Sequence, residues 1–343
     1  MTSKRITTVL GQLGLVQVRH VSPVHGGAAQ GLVRQVYGQV EQEFGILAPS
    51  IALHSPSPQV LAASWLMLRE TVLVTSKVPR AAKEAVATTV SLGNTCPWCV
   101  AVHSKMLSGL AESIADPELR AVTTWARDCE TEECARRHEP ACPAAEAPEL
   151  IGTAVIFHYY NRMVNVFLTE VPLPPGAPKL ALRPVMQVLA RRMRPAAECT
   201  YQPGTSLDLL PAAPAPGDLS WAAGEPVLEE AFARGCAAVD EAGGRSVPPS
   251  VRELVLAELQ DWQGERRGPS RAWVEAAVSG LPAADQSAGR LALLTAFASY
   301  QVGRSDIGKF RADRPGDATL IEATAWASLA AARRVGTWIP HSA

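Results

Sequence analysis

The segment SLGNTCPWCVAVHSKML, residues 91–107, predicts two helices joined by a tight turn. Gly93 is typical of the residue just beyond a helix C-terminus, and Pro97 is well tolerated in the first turn of a new helix. We therefore expect one helix to stop at Gly93 and the next to begin at Thr95 or Cys96. The two helices would lie antiparallel as a helical hairpin.

Helical patterns extend through the rest of the chain. Within residues 28–47, apolar side chains recur at four-residue steps, which places them on one helix face. These side chains are Leu32, Val36, Val40 and Phe44. No alternating strand pattern followed by a hairpin turn occurs in the sequence. We expect an all-α fold organised as a helical bundle.

Prolines divide the chain into three predicted regions. Residues 1–170 form a helical repeat with the cysteine pair, residues 171–222 a Pro-rich connection, and residues 223–343 a second, degenerate helical repeat. A shift of 203 residues places Pro79 on Pro282 and aligns the helical patterns that follow. The shift does not preserve the reactive side chains. It places Ser287, Ser299, Val302 and Asp306 opposite Glu84, Cys96, Cys99 and His103, respectively.

The composition argues against several classes of protein. The 343 residues include 32 basic and 33 acidic side chains, so no charge excess favours nucleic acid or an acidic membrane. No apolar run approaches the roughly 20 residues that span a bilayer. The N-terminal residues lack the continuous apolar stretch of a signal peptide. Seven cysteines, an odd number, do not indicate a secreted disulfide scaffold. We expect a cytoplasmic protein.

Two cysteines and a histidine share one face of the predicted second helix. Cys96 and Cys99 are three residues apart, and His103 follows Cys99 by four. A helix N-terminus favours a thiolate, so we expect a lowered thiol pKa. The helix dipole favours Cys96 as the more acidic thiol whereas His103 favours Cys99, so the residues alone leave the two roles open. The hairpin would bring Glu84 back to this face, where its carboxylate could orient His103.

The pattern Glu84-x11-Cys96-x2-Cys99-x3-His103 resembles the signature of the AhpD-like alkylhydroperoxidases, within the carboxymuconolactone decarboxylase superfamily. By matching positions, the resemblance implies that Cys99 is the peroxidatic cysteine and Cys96 the resolving one. It implies that Glu84 and His103 form a proton relay. It also implies an all-helical protein that assembles as a homo-oligomer, or as an intramolecular pseudo-dimer of its two repeats.

The resemblance is specific over residues 60–110 and departs from the family at Trp98, where the best-known members have a histidine. We expect Trp98 to line the substrate pocket, together with His158 and Asn161 of the predicted apolar helix 147–168. The implied substrate is an organic hydroperoxide, and the implied reductant is an external dithiol. No cofactor, metal, nucleic acid or membrane partner is expected.

Other interpretations of the same residues remain open. The protein could be a redox sensor, or a decarboxylase- or lactone-type acid–base enzyme, although the intact cysteine pair counts against the latter. A thioredoxin-like fold would need a strand before the CPWC motif, where the sequence has helical periodicity.

Single groups of polar residues also allow other roles. The polar cluster at residues 158–162 of the predicted apolar helix could mark a subunit edge. His54 lacks partners by spacing and is expected in a loop or at the surface. A metal site would use Cys129, Cys134, His138 and Cys142.

Overall fold

The fold is helical throughout the part of the chain that the computed structural model describes. This part comprises residues 14–74, 77–110, 116–137, 142–173, 176–188 and 199–341. Its regular structure consists of helices, apart from one antiparallel bridge between Val18 and Leu168. The all-α prediction is therefore confirmed. None of the helices in these ranges is long and apolar enough to cross a bilayer.

The first half contains eight α-helices among the described residues. In chain order they are α1 (Gly31–Glu43), α2 (Pro49–Ala52), α3 (Pro58–Leu68), α4 (Arg80–Gly93), α5 (Pro97–Leu110), α6 (Pro117–Asp128), α7 (Glu132–Ala135) and α8 (Ala147–Phe167). A π-helical turn, Arg69–Leu73, continues α3. On α1 the predicted apolar stripe faces the core, since Val36 and Val40 are completely buried.

The second half begins after a connection that contains 3₁₀ turns and a helical stretch at 182–188. The last of these turns is Gly217–Ala222. The following helices are α9 (Pro226–Ser246), α10 (Pro249–Asp261), α11 (Ala272–Val278), α12 (Gln286–Ala298), α13 (Arg304–Asp313) and α14 (Asp317–Trp338). Two further 3₁₀ turns, Ala283–Asp285 and Ser299–Gln301, flank α12.

The turn of the α4–α5 hairpin differs from the prediction by one or two residues. Gly93 is the last residue of α4, and the left-handed conformation falls on Thr95, with φ 52°. The carboxylate of Glu130 fills the space that a Cβ on residue 93 would need, which explains the glycine. The predicted start of α5 at Thr95 or Cys96 is wrong, because α5 begins at Pro97. Cys96 precedes the helix, and its carbonyl accepts the Val100 N–H at 3.0 Å.

Helices α8 and α14 form the centre of the bundle. Every residue of α8 except Asn165 is buried. Helix α14 packs along α8, and α9 packs against both α14 and α3. Trp221 is wedged between the two central helices, since a Cβ on Gly152 or Gly336 would lie 3.2 or 3.0 Å from its ring. Small residues at these positions therefore let α8 and α14 approach the same indole.

Under the predicted shift of 203 residues, one helix end of the second half coincides with a helix end of the first, whereas the starts of these two helices do not coincide. The shift of 203 residues carries Leu110, the end of α5, onto Asp313, the end of α13. The 3₁₀ turn Ser299–Gln301 then occupies the place of the cysteine turn. The division into three regions, the duplication and the assembly state stay predictions.

The contact between α9 and α14 requires a residue without a side chain at Gly243. The side chain of Trp326 occupies the space that a Cβ on Gly243 would need. We expect Gly243→Ala to lower the free energy of unfolding by about 1–3 kcal/mol, because a bulky ring in a close-packed interface must shift. Urea denaturation followed by circular dichroism measures this change.

The neighbouring Gly244 is the matched control. It lies on the same helix, but a Cβ there would meet no atom within 4 Å. We expect Gly244→Ala to leave stability unchanged or to raise it by up to about 1 kcal/mol, the helix propensity of alanine over glycine. Equal losses in both variants would contradict the close packing of α9 on α14.

Candidate active site

The α4–α5 hairpin brings Glu84 and His103 into direct contact. Oε2 of Glu84 lies 2.7 Å from Nδ1 of His103. The carboxylate is completely buried, and the imidazole is largely so, with 13% of its side chain exposed. The rings of His103 and Phe157 of α8 also pack edge-to-face, with centroids 4.6 Å apart. The imidazole is thus held by a carboxylate and by an aromatic ring.

Arg80 completes this buried charge cluster. Its Nε and Nη2 both donate to Oε1 of Glu84, at 2.8 and 2.7 Å, while its Nη1 donates to the carbonyl of Val72 at 3.2 Å. Arg80 was not predicted as a site residue. Its spacing of four residues from Glu84 on one helix was the available signal, since such pairs share a face.

The electrostatics of the cluster keep Glu84 ionised. Burial by itself would raise the pKa of this carboxyl, but the charges of Arg80 and His103 and their hydrogen bonds outweigh it and lower the pKa to about 2. An ionised carboxylate only accepts hydrogen bonds, so Nδ1 of His103 carries the hydrogen in this contact. In a neutral imidazole the lone pair is then on Nε2, which leaves that nitrogen to act as a base.

Cys96 and Cys99 are free thiols, and both are buried, with 1% and 2% of their surface exposed. The Cys99 thiol has three polar neighbours, namely the Cys96 thiol and the side chains of Asn161 and Ser91. Burial raises the pKa of the Cys99 thiol well above its ordinary value, and the interaction with Cys96 raises it further. The expectation of a lowered thiol pKa is therefore wrong for Cys99, because loss of solvent outweighs the helix N-terminus.

An amide network fixes the polar neighbours of Cys99. Nδ2 of Asn161 donates to Oγ of Ser91 at 2.9 Å, and Oδ1 of Asn161 accepts from Nδ2 of Asn94 at 3.1 Å. Asn161 was predicted to line the substrate pocket, whereas Ser91 and Asn94 were not predicted as site residues. Ser91 lies one helical turn back from the cysteine turn, a position that gave no separate signal.

Cys99 and His103 open into the same cavity, which we call the thiol cavity. It encloses about 440 Å³ of space, including its mouth. Trp98 is part of its wall, and the indole is fixed because Nε1 donates to Oε1 of Gln17 at 2.9 Å. His158, predicted as a pocket residue, lines a different cavity. The remaining lining side chains of the thiol cavity are mostly apolar: Phe44, Ser50, Ile51, Leu68, Val72, Arg80, Phe157, Tyr160 and Val164.

Two other predictions concerned His54 and a possible metal site. His54 is not at the surface but completely buried, stacked on Tyr159 with ring centroids 5.7 Å apart. Burial lowers the pKa of its imidazole to about 4. The residues described contain no group of three or more His, Cys, Asp or Glu side chains that could hold a metal. Of the four candidate metal ligands, His138 lies outside those residues.

The site is a buried thiol pair on an all-helical scaffold, and one of the two thiols lines a cavity together with a histidine that bonds to a buried carboxylate. No protein-family model matches the chain. The chain is 38% identical to alkyl hydroperoxide reductase Rv2159c of Mycobacterium tuberculosis (strain ATCC 25618 / H37Rv) over 346 aligned positions, which cover 95% of this chain and 96% of the relative. The chain therefore belongs to the AhpD-like alkylhydroperoxidases.

The buried Glu84 predicts a specific dependence of stability on pH. Because its pKa in the folded protein is about 2, below the ordinary 4.5, its contribution is complete above pH 4.5 and is lost as the pH falls towards 2. This contribution amounts to about 3 kcal/mol. We expect the free energy of unfolding, measured by urea titration, to fall more steeply below pH 4.5 in the wild type than in Glu84→Gln.

The same titrations supply the control. Glu84→Gln should be less stable at neutral pH by about 3 kcal/mol or more, because it leaves a buried Arg80 without its counter-charge. Glu241→Gln removes a carboxylate whose side chain is 78% exposed, and should keep the wild-type slope. A Glu84→Gln protein with the wild-type pH slope would show that this carboxylate is not the buried charge described above.

Proposed function

We propose that the protein is a thiol peroxidase that reduces organic hydroperoxides with Cys99 and Cys96. The observation that carries this proposal is the shared thiol cavity, into which Cys99 and a His103 bound to Glu84 both open. The mostly apolar walls suit the carbon chain of an alkyl hydroperoxide. The printed name of the relative, alkyl hydroperoxide reductase, supports the same substrate class.

In the first step Cys99 is oxidised. Nε2 of His103 takes the thiol proton, and the sulfur attacks the peroxide oxygen farther from carbon. The O–O bond breaks, an oxygen is transferred to sulfur, and the departing alkoxide takes the proton back from His103. The products are an alcohol and a Cys99 sulfenic acid. The raised pKa of Cys99 makes this base necessary, because a buried neutral thiol is a poor nucleophile.

The remaining steps restore the thiols. The Cys96 thiol attacks the sulfenic sulfur of Cys99, a disulfide forms, and one water leaves. An external dithiol then reduces this disulfide by two exchange steps and is itself oxidised to a disulfide. Contact between the two thiols in the reduced protein supports Cys96 as the resolving partner.

Glu84 has a positioning role in this cycle. Its carboxylate holds Nδ1 of His103 and stabilises the imidazolium that forms when Nε2 takes the proton. Arg80 keeps Glu84 ionised, so the carboxylate does not retain the proton itself.

A redox sensor that forms the disulfide without turnover is the alternative. Cysteine variants separate the two functions through peroxide consumption measured without added reductant. We expect the wild type to consume about one equivalent of cumene hydroperoxide per chain and lose two thiols. Cys99→Ser should consume none, and Cys96→Ser should stop at a sulfenic acid on Cys99 that dimedone labels.

Turnover with dithiothreitol completes this test. The wild type should consume many equivalents of cumene hydroperoxide. A sensor would form the disulfide but would not turn over with any dithiol. Cys199→Ser removes an exposed cysteine and should behave as the wild type. Full peroxide consumption by Cys99→Ser would overturn the proposal.

The role of His103 predicts a pH profile for the oxidation of Cys99. In His103→Gln, only the spontaneously formed thiolate reacts, so the single-turnover rate should rise about tenfold per unit between about pH 7 and 9. The wild-type rate should be higher at pH 7 and rise less steeply, because the imidazole takes the proton. Stopped-flow tryptophan fluorescence measures both rates. His25→Gln, at an exposed histidine, is the control, and parallel profiles for the wild type and His103→Gln would contradict the base role.

A further inference from the structure

We propose that a second cavity, the seam cavity, binds a small organic carboxylate. It lies where α8 and the α4–α5 turn meet the second half of the chain, and it encloses about 510 Å³ of space, including its mouth. Arg162 and His158 line it from α8, and Trp262, Phe297 and Tyr300 line it from the second half. The proposal is independent of the peroxidase chemistry.

Arg162 supplies a buried positive charge. Only 4% of its surface is exposed, and no carboxylate among the described residues contacts it. Its Nε donates to the carbonyl of Ala296 at 2.9 Å and its Nη1 to the carbonyl of His158 at 2.8 Å. Its Nη2 donates to no acceptor in the described part of the chain. Burial lowers the pKa of the guanidinium to about 10, so it remains charged at neutral pH. A buried cation without a counter-charge is costly, and an anionic ligand would offset that cost.

His158 supplies a second unused donor. Its Nδ1 lies 3.0 Å from Nδ2 of Asn94 and 3.2 Å from Nη1 of Arg162. Both of those nitrogens are donors, so Nδ1 must be the acceptor and the hydrogen of the ring is on Nε2. Burial and the neighbouring Arg162 hold the pKa of His158 well below its usual value, which keeps the ring neutral. Nε2 is buried and has no hydrogen-bond partner among the described residues.

The walls of the seam cavity favour a flat apolar body attached to the anionic group. Trp262 lies edge-on to Phe297, with ring centroids 5.5 Å apart, and the guanidinium of Arg162 lies 5.9 Å from the indole centroid. A charged end that meets Arg162 would therefore continue into aromatic walls. These features fit an aromatic or short-chain carboxylic acid better than a bare inorganic ion.

The acidic residues of the seam cavity do not oppose this ligand equally. Glu130 is paired with Arg266 at 2.8 Å, which neutralises its charge. Glu265 accepts the N–H of Gln263 at 2.9 Å and is exposed. Because the carboxylate of Glu265 has no ion pair among the described residues, its charge should weaken the binding of an anion. A Glu265 variant therefore tests the proposal at an exposed residue.

Titration calorimetry with sodium benzoate and its neutral isostere benzamide tests the proposal. We expect one benzoate per chain, with affinity at least about tenfold above that of benzamide. Arg162→Gln should weaken benzoate binding at least about tenfold, and Arg290→Gln, which removes an arginine that does not line the cavity, should not. Glu265→Gln should tighten benzoate binding without changing that of benzamide.

Arg162→Gln removes a buried group and could weaken binding simply by disturbing the fold. Glu265→Gln changes an exposed residue, so a change in benzoate affinity there is not a folding artefact. The proposal is overturned if benzoate shows no binding up to about 5 mM. It is equally overturned if benzamide binds as tightly as benzoate, or if neither variant changes the affinity for benzoate.

Discussion

The carboxylate of Glu84 is completely buried, and its charge is tolerated because Arg80 and His103 each bond to one of its oxygens. This arrangement fixes more than two side chains. Through Arg80 it ties α4 to the end of the π-helical turn at Val72, and through His103 it ties α4 to α5. The position of the imidazole in the thiol cavity therefore depends on a charge that no solvent reaches. We expect a change in that charge to lower the stability of the hairpin and, under the proposed mechanism, to slow the oxidation of Cys99.

The two halves of the chain contribute unequally to this site. The described lining residues of the thiol cavity all belong to the first half. Helix α14 of the second half packs along α8, which lines this cavity. The second half contributes instead to the seam cavity, through Trp262 and Phe297. The amide network joins the wall of the seam cavity to the polar neighbours of Cys99, because Asn94 bonds both to His158 and to Asn161. The second half thus lines the seam cavity and packs against α8, but it adds no reactive group to the thiol cavity.

Sequence patterns predicted the helical fold and the Glu84–His103 pairing well, because both depend on spacing along helices. They could not predict the consequences of burial. The thiol pKa of Cys99 was expected to fall on account of the helix N-terminus, but loss of solvent around it dominates. His54 was expected in a loop or at the surface since its spacing offered no partner; it lies in a turn, but it is buried and stacks on Tyr159 in the core. The left-handed Thr95 was also missed, because a β-branched residue rarely adopts that conformation.

The wall of the thiol cavity has an uncommon dependence on the two ends of the chain. Trp98 is held by Gln17, and the segment around Gln17 is held in turn by Phe167, whose carbonyl accepts the Arg19 N–H at 2.7 Å. The N–H of Ser22 donates to Asp317 at 2.7 Å. During synthesis on the ribosome, the earliest of these residues emerges long before its last partner. The segment that anchors Trp98 therefore gains its last contact only when almost the whole chain has been made, so a nascent chain would carry both cysteines before this wall is fully anchored.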